Sequence, residues 1–117
     1  MSNSVLRDKT KKFAKKIILL CRALKEKRVE SAILGQLLRC GTSIGANVHE
    51  AQYAQGTKDF ISKFEIALKE CNECEYWLVL LLEIGDLDEE EYTTLKNDCI
   101  GIRRMIVSSV TTLKNKD

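Results

Sequence analysis

The sequence predicts an all-α protein, an antiparallel up-down four-helix bundle, and three observations support this fold. The 117 residues include no proline and only six glycines, whereas β-sandwiches and barrels need many turns. Apolar residues recur at spacings of three and four along most of the chain, which is the helical period. The connections between the periodic segments are short, so consecutive helices should lie antiparallel. We expect one domain, residues 1–117, with helices at about residues 4–27, 31–54, 57–84 and 89–114.

The first predicted helix has an apolar face and a basic face. At about 100° per residue, one side collects Leu6, Phe13, Ile17, Leu20 and Leu24. The opposite side collects Arg7, Lys11, Lys15, Arg22 and Lys25. Residues 1–30 contain ten Lys or Arg and three Asp or Glu. Residues 70–98, by contrast, contain one Lys or Arg and ten Asp or Glu. A chain with this separation of charge can bind polyanions or copies of itself.

The second predicted helix carries an unusual polar stripe. Ser31 is its expected N-cap, and its apolar face consists of Ile33, Leu37, Ile44, Val48 and Ala51. Gly41 and Gly45 would allow another backbone to come close. The polar stripe consists of Gln36, Arg39, Ser43, Asn47 and Glu50. It is either a solvated face or a hydrogen-bonded network at a contact with another helix or subunit, and its lack of lysine favours the network.

The third and fourth predicted helices have heptad seams and clear boundary signals. We expect Thr57 to cap the third helix, Gly85 to follow it in the left-handed conformation, and Asp88 with Glu91 to begin the fourth. The seam of the third helix is Phe60, Phe64, Ala67, Cys71, Cys74, Leu78 and Leu81. The seam of the fourth is Tyr92, Leu95, Cys99, Ile102, Ile106, Ser109 and Leu113.

A second set of apolar residues lies outside these two seams. It comprises Ile61, Leu68 and Leu82 on the third helix and Ile100, Val107 and Val110 on the fourth. Either the core-facing stripes are wide, or this set contacts a second copy of the chain. We favour self-association.

No residue pattern indicates catalysis, a metal or a cofactor. The Cys71–Cys74 C-x-x-C pair lies in mid-helix on the seam, and His49 is the single histidine. A zinc site needs more ligands than this pair offers, and a redox pair would lie at a helix N-terminus. We therefore expect the five cysteines to be core residues and the protein not to be an enzyme. Since its apolar runs are too short for a signal peptide or a membrane span, we also expect a cytoplasmic location without membrane contact.

A block within the second helix is similar to one in a known family. It reads Q-x-x-R-x-x-x-S-I-x-x-N-x-x-E from Gln36 to Glu50, followed by Lys58-Asp59-Phe60-Ile61 and Phe64-x-Ile66-Ala67. Over about residues 5–113 the chain resembles the four helix bundle proteins first described within intervening sequences of bacterial large-subunit ribosomal RNA genes. The resemblance implies a homopentamer without known catalytic activity. A distant relative, the accessory variability determinant of diversity-generating retroelements, is a pentamer that binds nucleic acid and reverse transcriptase.

Two functions stay open at this point. In the first, an oligomer binds ribosomal RNA or another nucleic acid through the basic face of the first helix. In the second, the bundle is a protein-interaction scaffold whose basic first helix docks on the acidic third and fourth helices. We narrowly favour nucleic-acid binding, although no aromatic residue interleaves with the basic face in sequence.

Overall fold

A computed structural model describes residues 3–116, which form four helices and, in that range, no strand. The helices are α1 (Ser4–Glu26), α2 (Ser31–Ala51), α3 (Thr57–Glu83) and α4 (Glu89–Lys114). Cys21 near the end of α1 contacts Leu34 at the start of α2, and Glu50 at the end of α2 contacts Lys63 in the first half of α3. Lys114 at the end of α4 contacts Glu65 in the first half of α3, so the arrangement is antiparallel and up-down. The predicted all-α bundle is therefore confirmed. The molecule measures 49 × 22 × 19 Å.

The two ends of the bundle differ in composition. Asn3, Ala51, Thr57 and Leu113 line a cavity at one end, which we call the terminal end because both ends of the described chain lie there. The other end carries the turn between α3 and α4, with five acidic side chains between residues 86 and 91. We call it the acidic end.

One hydrophobic core runs through all four helices. Every residue of the predicted apolar faces and heptad seams is buried or half-buried, and Phe13, Phe64, Ile44 and Leu78 are among the fully buried side chains. Full burial of a side chain of this size contributes about 1.5–3 kcal/mol. The helical period therefore identified the core correctly.

The predicted glycine contacts occur between α1 and α2. A methyl group built on Gly41 would lie 2.7 Å from Ile17 Cγ2, and one on Gly45 would lie 3.3 Å from Thr10 Oγ1. The first distance is shorter than packing of a real Cβ allows, and the second is tighter than most Cβ contacts. The two glycines thus let α1 approach α2 closely.

Some helix ends differ from the prediction. Ser31 and Thr57 are the first residues of α2 and α3 rather than their caps, because the Glu30 and Gly56 carbonyls already accept helical hydrogen bonds from Leu34 and Phe60. α2 ends at Ala51 rather than at residue 54 because the following N–H groups bond to carbonyls three residues back.

Two boundary predictions are confirmed. Gly85 has a φ of 87° just after α3, which is the left-handed conformation that glycine adopts readily. The Asp88 side chain accepts a 2.7 Å hydrogen bond from the Glu91 backbone N–H. This bond satisfies one of the otherwise unpaired donors in the first turn of α4.

Candidate nucleic-acid interface

The five predicted nucleic-acid-binding residues form one stripe on α1. Lys11, Lys15, Arg22 and Lys25 are exposed and Arg7 is half-buried. From residue 7 to residue 25 the stripe is about 27 Å long, at 1.5 Å per residue. We call these five residues the basic stripe.

The basic stripe is free of internal ion pairs. Within residues 3–116 none of its five side chains has a carboxylate partner, whereas two neighbouring lysines of α1 do. Lys12 lies 3.1 Å from Asp8, and Lys16 lies 2.8 Å from Asp98 on α4. The cations that pair within the bundle are therefore not those of the stripe.

Many of the carboxylates of α3, by contrast, are paired inside the bundle. Glu70 and Glu73 contact Arg39, Glu75 contacts Arg103, and Glu65 lies 3.0 Å from Lys114. Three of the ten carboxylates in residues 70–98 are therefore paired with arginines of α2 and α4. The negative charge that stays exposed includes Glu89, Glu90 and Glu91 at the acidic end.

The basic stripe consequently spans two electrostatic environments. Arg22 and Lys25 lie toward the acidic end, where Leu20 of α1 shares a cavity with Asp88 and Glu91. Arg7 lies at the terminal end, remote from that turn. At physiological ionic strength a charge is screened over about 8 Å, so the terminal-end cations act independently of the acidic turn.

The polar stripe of α2 meets α3, with Arg39 as its strongest contact. Arg39 Nη1 donates to Glu70 Oε2 at 2.7 Å, and Nη2 donates to Glu73 Oε2. Trp77 Nε1 also donates to Glu73 Oε2, at 3.3 Å. The hydrogen bond from Arg39 lowers the pKa of Glu73 below its ordinary value. The two glutamates were not among the predicted site residues, although their spacing of three places them on one face of α3.

The other residues of the polar stripe have weaker roles. Glu50 lies 3.6 Å from Lys63 of α3. Ser43 Oγ donates to the Arg39 carbonyl at 2.6 Å and Asn47 Nδ2 to the Ser43 carbonyl at 2.8 Å, so both bond within their own helix. Gln36 is exposed. The polar stripe of α2 thus forms a contact between α2 and α3 of one chain, and Arg39 is the centre of that contact.

The second apolar set divides into two groups. Leu68 and Val110 pack against the core, as a wide core-facing stripe requires. Val107 is 44% exposed and lines a shallow apolar depression together with Ile100. We call the surface around Ile100 and Val107 the α3–α4 outer face.

An ion pair holds α3 to α4 beside this outer face. Arg103 binds both carboxylate oxygens of Glu75, with Nη1 at 2.9 and 3.0 Å. Burial nonetheless raises the pKa of Glu75, the Arg103 charge acting in the opposite sense. Partial desolvation therefore offsets much of the stabilisation that the pair provides.

All five cysteines are buried and free. Burial, with a smaller effect of Cys40, raises the pKa of Cys21 to about 11. Contact with Cys99 and burial together raise the pKa of Cys71, whose thiol lies 3.4 Å from the Cys99 carbonyl oxygen. Across residues 3–116 no group of His, Cys, Asp and Glu side chains is arranged to hold a metal ion.

The fold and the site together define the class of this protein, which is an all-α four-helix bundle with an unpaired basic stripe on its first helix. Residues 3–108 match the family of 23S rRNA-intervening sequence proteins, and the chain belongs to that family. A crystal structure of a protein of unknown function from the S23 ribosomal protein family of Bacteroides thetaiotaomicron is similar, with a TM-score of 0.87 and 43% identity. The match covers 90% of this chain and 97% of that one. A comparison with curated proteins gives no match.

None of the helices that the structure describes is both long enough and apolar enough to cross a membrane.

Proposed function

We propose that this chain is a non-catalytic, homo-oligomeric bundle protein that binds ribosomal RNA or a similar nucleic acid through the basic stripe of α1. The observation that carries the proposal is the stripe itself. Four of its five cations are exposed, Arg7 is half-buried, and none of the five has a carboxylate partner among residues 3–116. The phosphate groups of a nucleic acid can pair with the cations of the basic stripe, and such pairing does not require a particular base sequence. The family's description as proteins of 23S rRNA intervening sequences supports ribosomal RNA as the ligand.

Oligomerisation would multiply the basic stripe. We assign the subunit contact to the α3–α4 outer face, because Val107 exposes apolar surface there, beside Ile100, that the core does not use. A pentamer, which the family resemblance implies, would carry five copies of the stripe. Each phosphate neutralised adds to the dependence of binding on salt, so an assembly should bind far more tightly at low salt than a single chain would.

Light scattering and a salt-titrated binding assay test this proposal together. The wild-type protein and the triple variant Lys11→Gln, Lys15→Gln, Arg22→Gln are compared on structured ribosomal RNA and on a random duplex. We expect the wild type to be an oligomer whose affinity falls steeply with salt, with a slope of about −0.7 to −0.9 per phosphate neutralised. The triple variant should keep its fold and its mass but lose most of the binding. Unchanged affinity in that variant would eliminate the basic stripe as the interface.

A protein-interaction scaffold is the second candidate function. Glu89, Glu90 and Glu91 are exposed at the acidic end, and this concentrated negative charge suits a basic protein partner. A wild-type oligomer that binds neither RNA nor duplex would make this candidate the better one.

A further inference from the structure

An open groove between α1 and α2 lies next to the part of the basic stripe that is nearest the terminal end. It has a volume of about 700 Å³. Its walls include Arg7 and Lys11 from α1 and His49 and Gln52 from α2. We call it the α1–α2 groove.

Small residues keep the groove open while the two helices are in contact. Gly45 and Ala46 form part of the α2 wall, and Ala14 forms part of the α1 wall. Because α1 meets Gly45 at close range through Thr10, the helices touch at the base of the groove. Above that contact, no long side chain from these three positions fills the space.

The charge of the groove is positive. Arg7 and Lys11 have no ion pair with any residue between 3 and 116. The acidic residue in the wall is Asp8, which lies 3.1 Å from Lys12 outside the groove. An anion entering the groove therefore meets two cations without an ion-pair partner, whereas the carboxylate in the wall is in an exposed ion pair with Lys12.

An aromatic pair extends the same wall. The rings of His49 and Tyr53 have their centroids 5.7 Å apart at an angle of 59°. Tyr53 is 74% exposed, more than any other large apolar or aromatic side chain described. His49 lines the groove directly, and Tyr53 contacts the His49 ring although it is not itself a wall residue of the groove. The basic stripe thus has the His49 ring beside it in space, and the exposed Tyr53 ring packs against that histidine.

Cations beside an exposed aromatic ring suit one kind of ligand. Proteins that bind single strands combine a positive groove for the backbone with aromatic side chains on which bases stack. In a duplex the faces of the bases are covered by their neighbours, so an exposed tyrosine can stack only on unpaired bases.

We propose that the α1–α2 groove binds unpaired nucleotides of single-stranded nucleic acid, with Arg7 and Lys11 on the phosphates and Tyr53 stacked on a base. This inference rests on the proposed function and narrows it, because it names the strand state of the ligand and the section of the stripe that binds it. Arg22 and Lys25, near the acidic end, contribute little to this contact.

Fluorescence anisotropy of full-length variants tests the stacking contact. The probes are a labelled, unstructured RNA of about 12 nucleotides, a length within the range of such sites, and the duplex made from it. Tyr53→Ala should weaken single-strand binding about tenfold, a factor that corresponds to about 1.4 kcal/mol. It should leave duplex binding unchanged. Tyr53→Phe keeps the ring and should bind like the wild type. Tyr76→Ala removes another exposed tyrosine, on α3, as the matched control.

A second pair of variants with equal charge tests the location. One double variant combines Arg7→Gln with Lys11→Gln, and the other combines Arg22→Gln with Lys25→Gln. Each double variant removes two cations, but the first should weaken single-strand binding at least tenfold more than the second. Circular dichroism and thermal unfolding establish that all variants are folded.

These measurements distinguish failure of the inference about the groove from failure of the proposed function. Equal single-strand affinity of wild type and Tyr53→Ala, equal losses for Tyr53→Ala and Tyr76→Ala, or equal losses for the two charge pairs would overturn the inference. If the wild type still bound RNA in these cases, the proposed function would stand. A wild type that binds neither probe would overturn both.

Discussion

Replacing Arg39 by alanine should destabilise the bundle by removing the main polar contact between α2 and α3. Arg39 donates to two carboxylates of α3, those of Glu70 and Glu73. The Glu70 side chain is only 11% exposed, so in the variant its charge would be left largely buried and unpaired. An unpaired buried carboxylate costs more than the lost hydrogen bond alone.

The size of the effect follows from the exposure of the three side chains. A hydrogen bond to a charged group contributes about 1.5–3 kcal/mol when it is shielded from water. Arg39 is 47% exposed and Glu73 is 30% exposed, so solvent screening reduces the contribution of the second bond. We expect a loss of about 2 kcal/mol in the free energy of unfolding, and for a domain of this size a fall in Tm of roughly 8 °C.

Thermal and urea unfolding at one fixed protein concentration measure this effect, with Arg104→Ala as the control for loss of a surface arginine. Adding Glu70→Gln to Arg39→Ala should restore part of the lost stability, since the unpaired charge is then gone. Arg39 holds the pKa of Glu73 below its ordinary 4.5. The stabilisation is therefore present above pH 4.5 and lost as the pH falls through the lowered pKa, so wild type and variant should converge in acid.

The same experiment decides where the polar stripe acts. Because Arg39 forms its hydrogen bonds within one chain, the mass of the assembly should be unchanged in Arg39→Ala. A variant as stable as Arg104→Ala would refute the energetic argument. A variant of normal stability that no longer assembles would show that the arginine acts between subunits.

Two further predictions concern the core. Gly41→Ala should destabilise the protein by about 1 kcal/mol or more, because the new methyl group meets Ile17 at 2.7 Å and overpacking outweighs the gain in helix propensity. Gly35→Ala in the same helix, with no atom within 4 Å of the added methyl, should instead stabilise the protein by about 1 kcal/mol. Urea unfolding compares the two variants. Equal effects on the free energy of unfolding would contradict the close approach of α1 to α2. Cys21 should react slowly with iodoacetamide at pH 8 in the native protein and rapidly in urea, because its pKa of about 11 leaves few thiolates. Its contribution to stability should be present below pH 9 and lost as the pH rises through 11, and fast native alkylation would contradict its burial.

The sequence was sufficient to predict the bundle because each helix satisfies local rules. The periods of three and four identified core residues such as Phe13 and Ile106, which are buried. Gly85 and Asp88 could be assigned because a left-handed residue and a side-chain cap depend on a few neighbouring atoms. Ser31 was misassigned by one position because Glu30 supplies the first accepting carbonyl without a capping side chain.

Contacts between distant helices could not be predicted from these rules. Nothing in the spacing of Arg39 reveals that its partners are Glu70 and Glu73, because the rotation of α3 against α2 depends on the packing of the whole core. The position of His49 is a second example. It lies near the end of α2, and only the antiparallel pairing of α1 with α2 brings it, with the Tyr53 ring against it, into the same groove as Arg7.

The small net charge is therefore a poor guide to what the surface can bind. The formal charge of +2 counts carboxylates such as Glu70 and Glu75, although arginines of α2 and α4 already neutralise them. Once those pairs are set aside, the remaining charge is separated along the 49 Å length of the molecule. Negative charge is concentrated at the α3–α4 turn, and the unpaired cations of the basic stripe run along α1 from Lys25, near that turn, to Arg7 at the terminal end. Since Arg7 is remote from that turn on the scale of the screening length, a polyanion would meet cations at the terminal end that the acidic turn does not compensate, although the protein is nearly neutral.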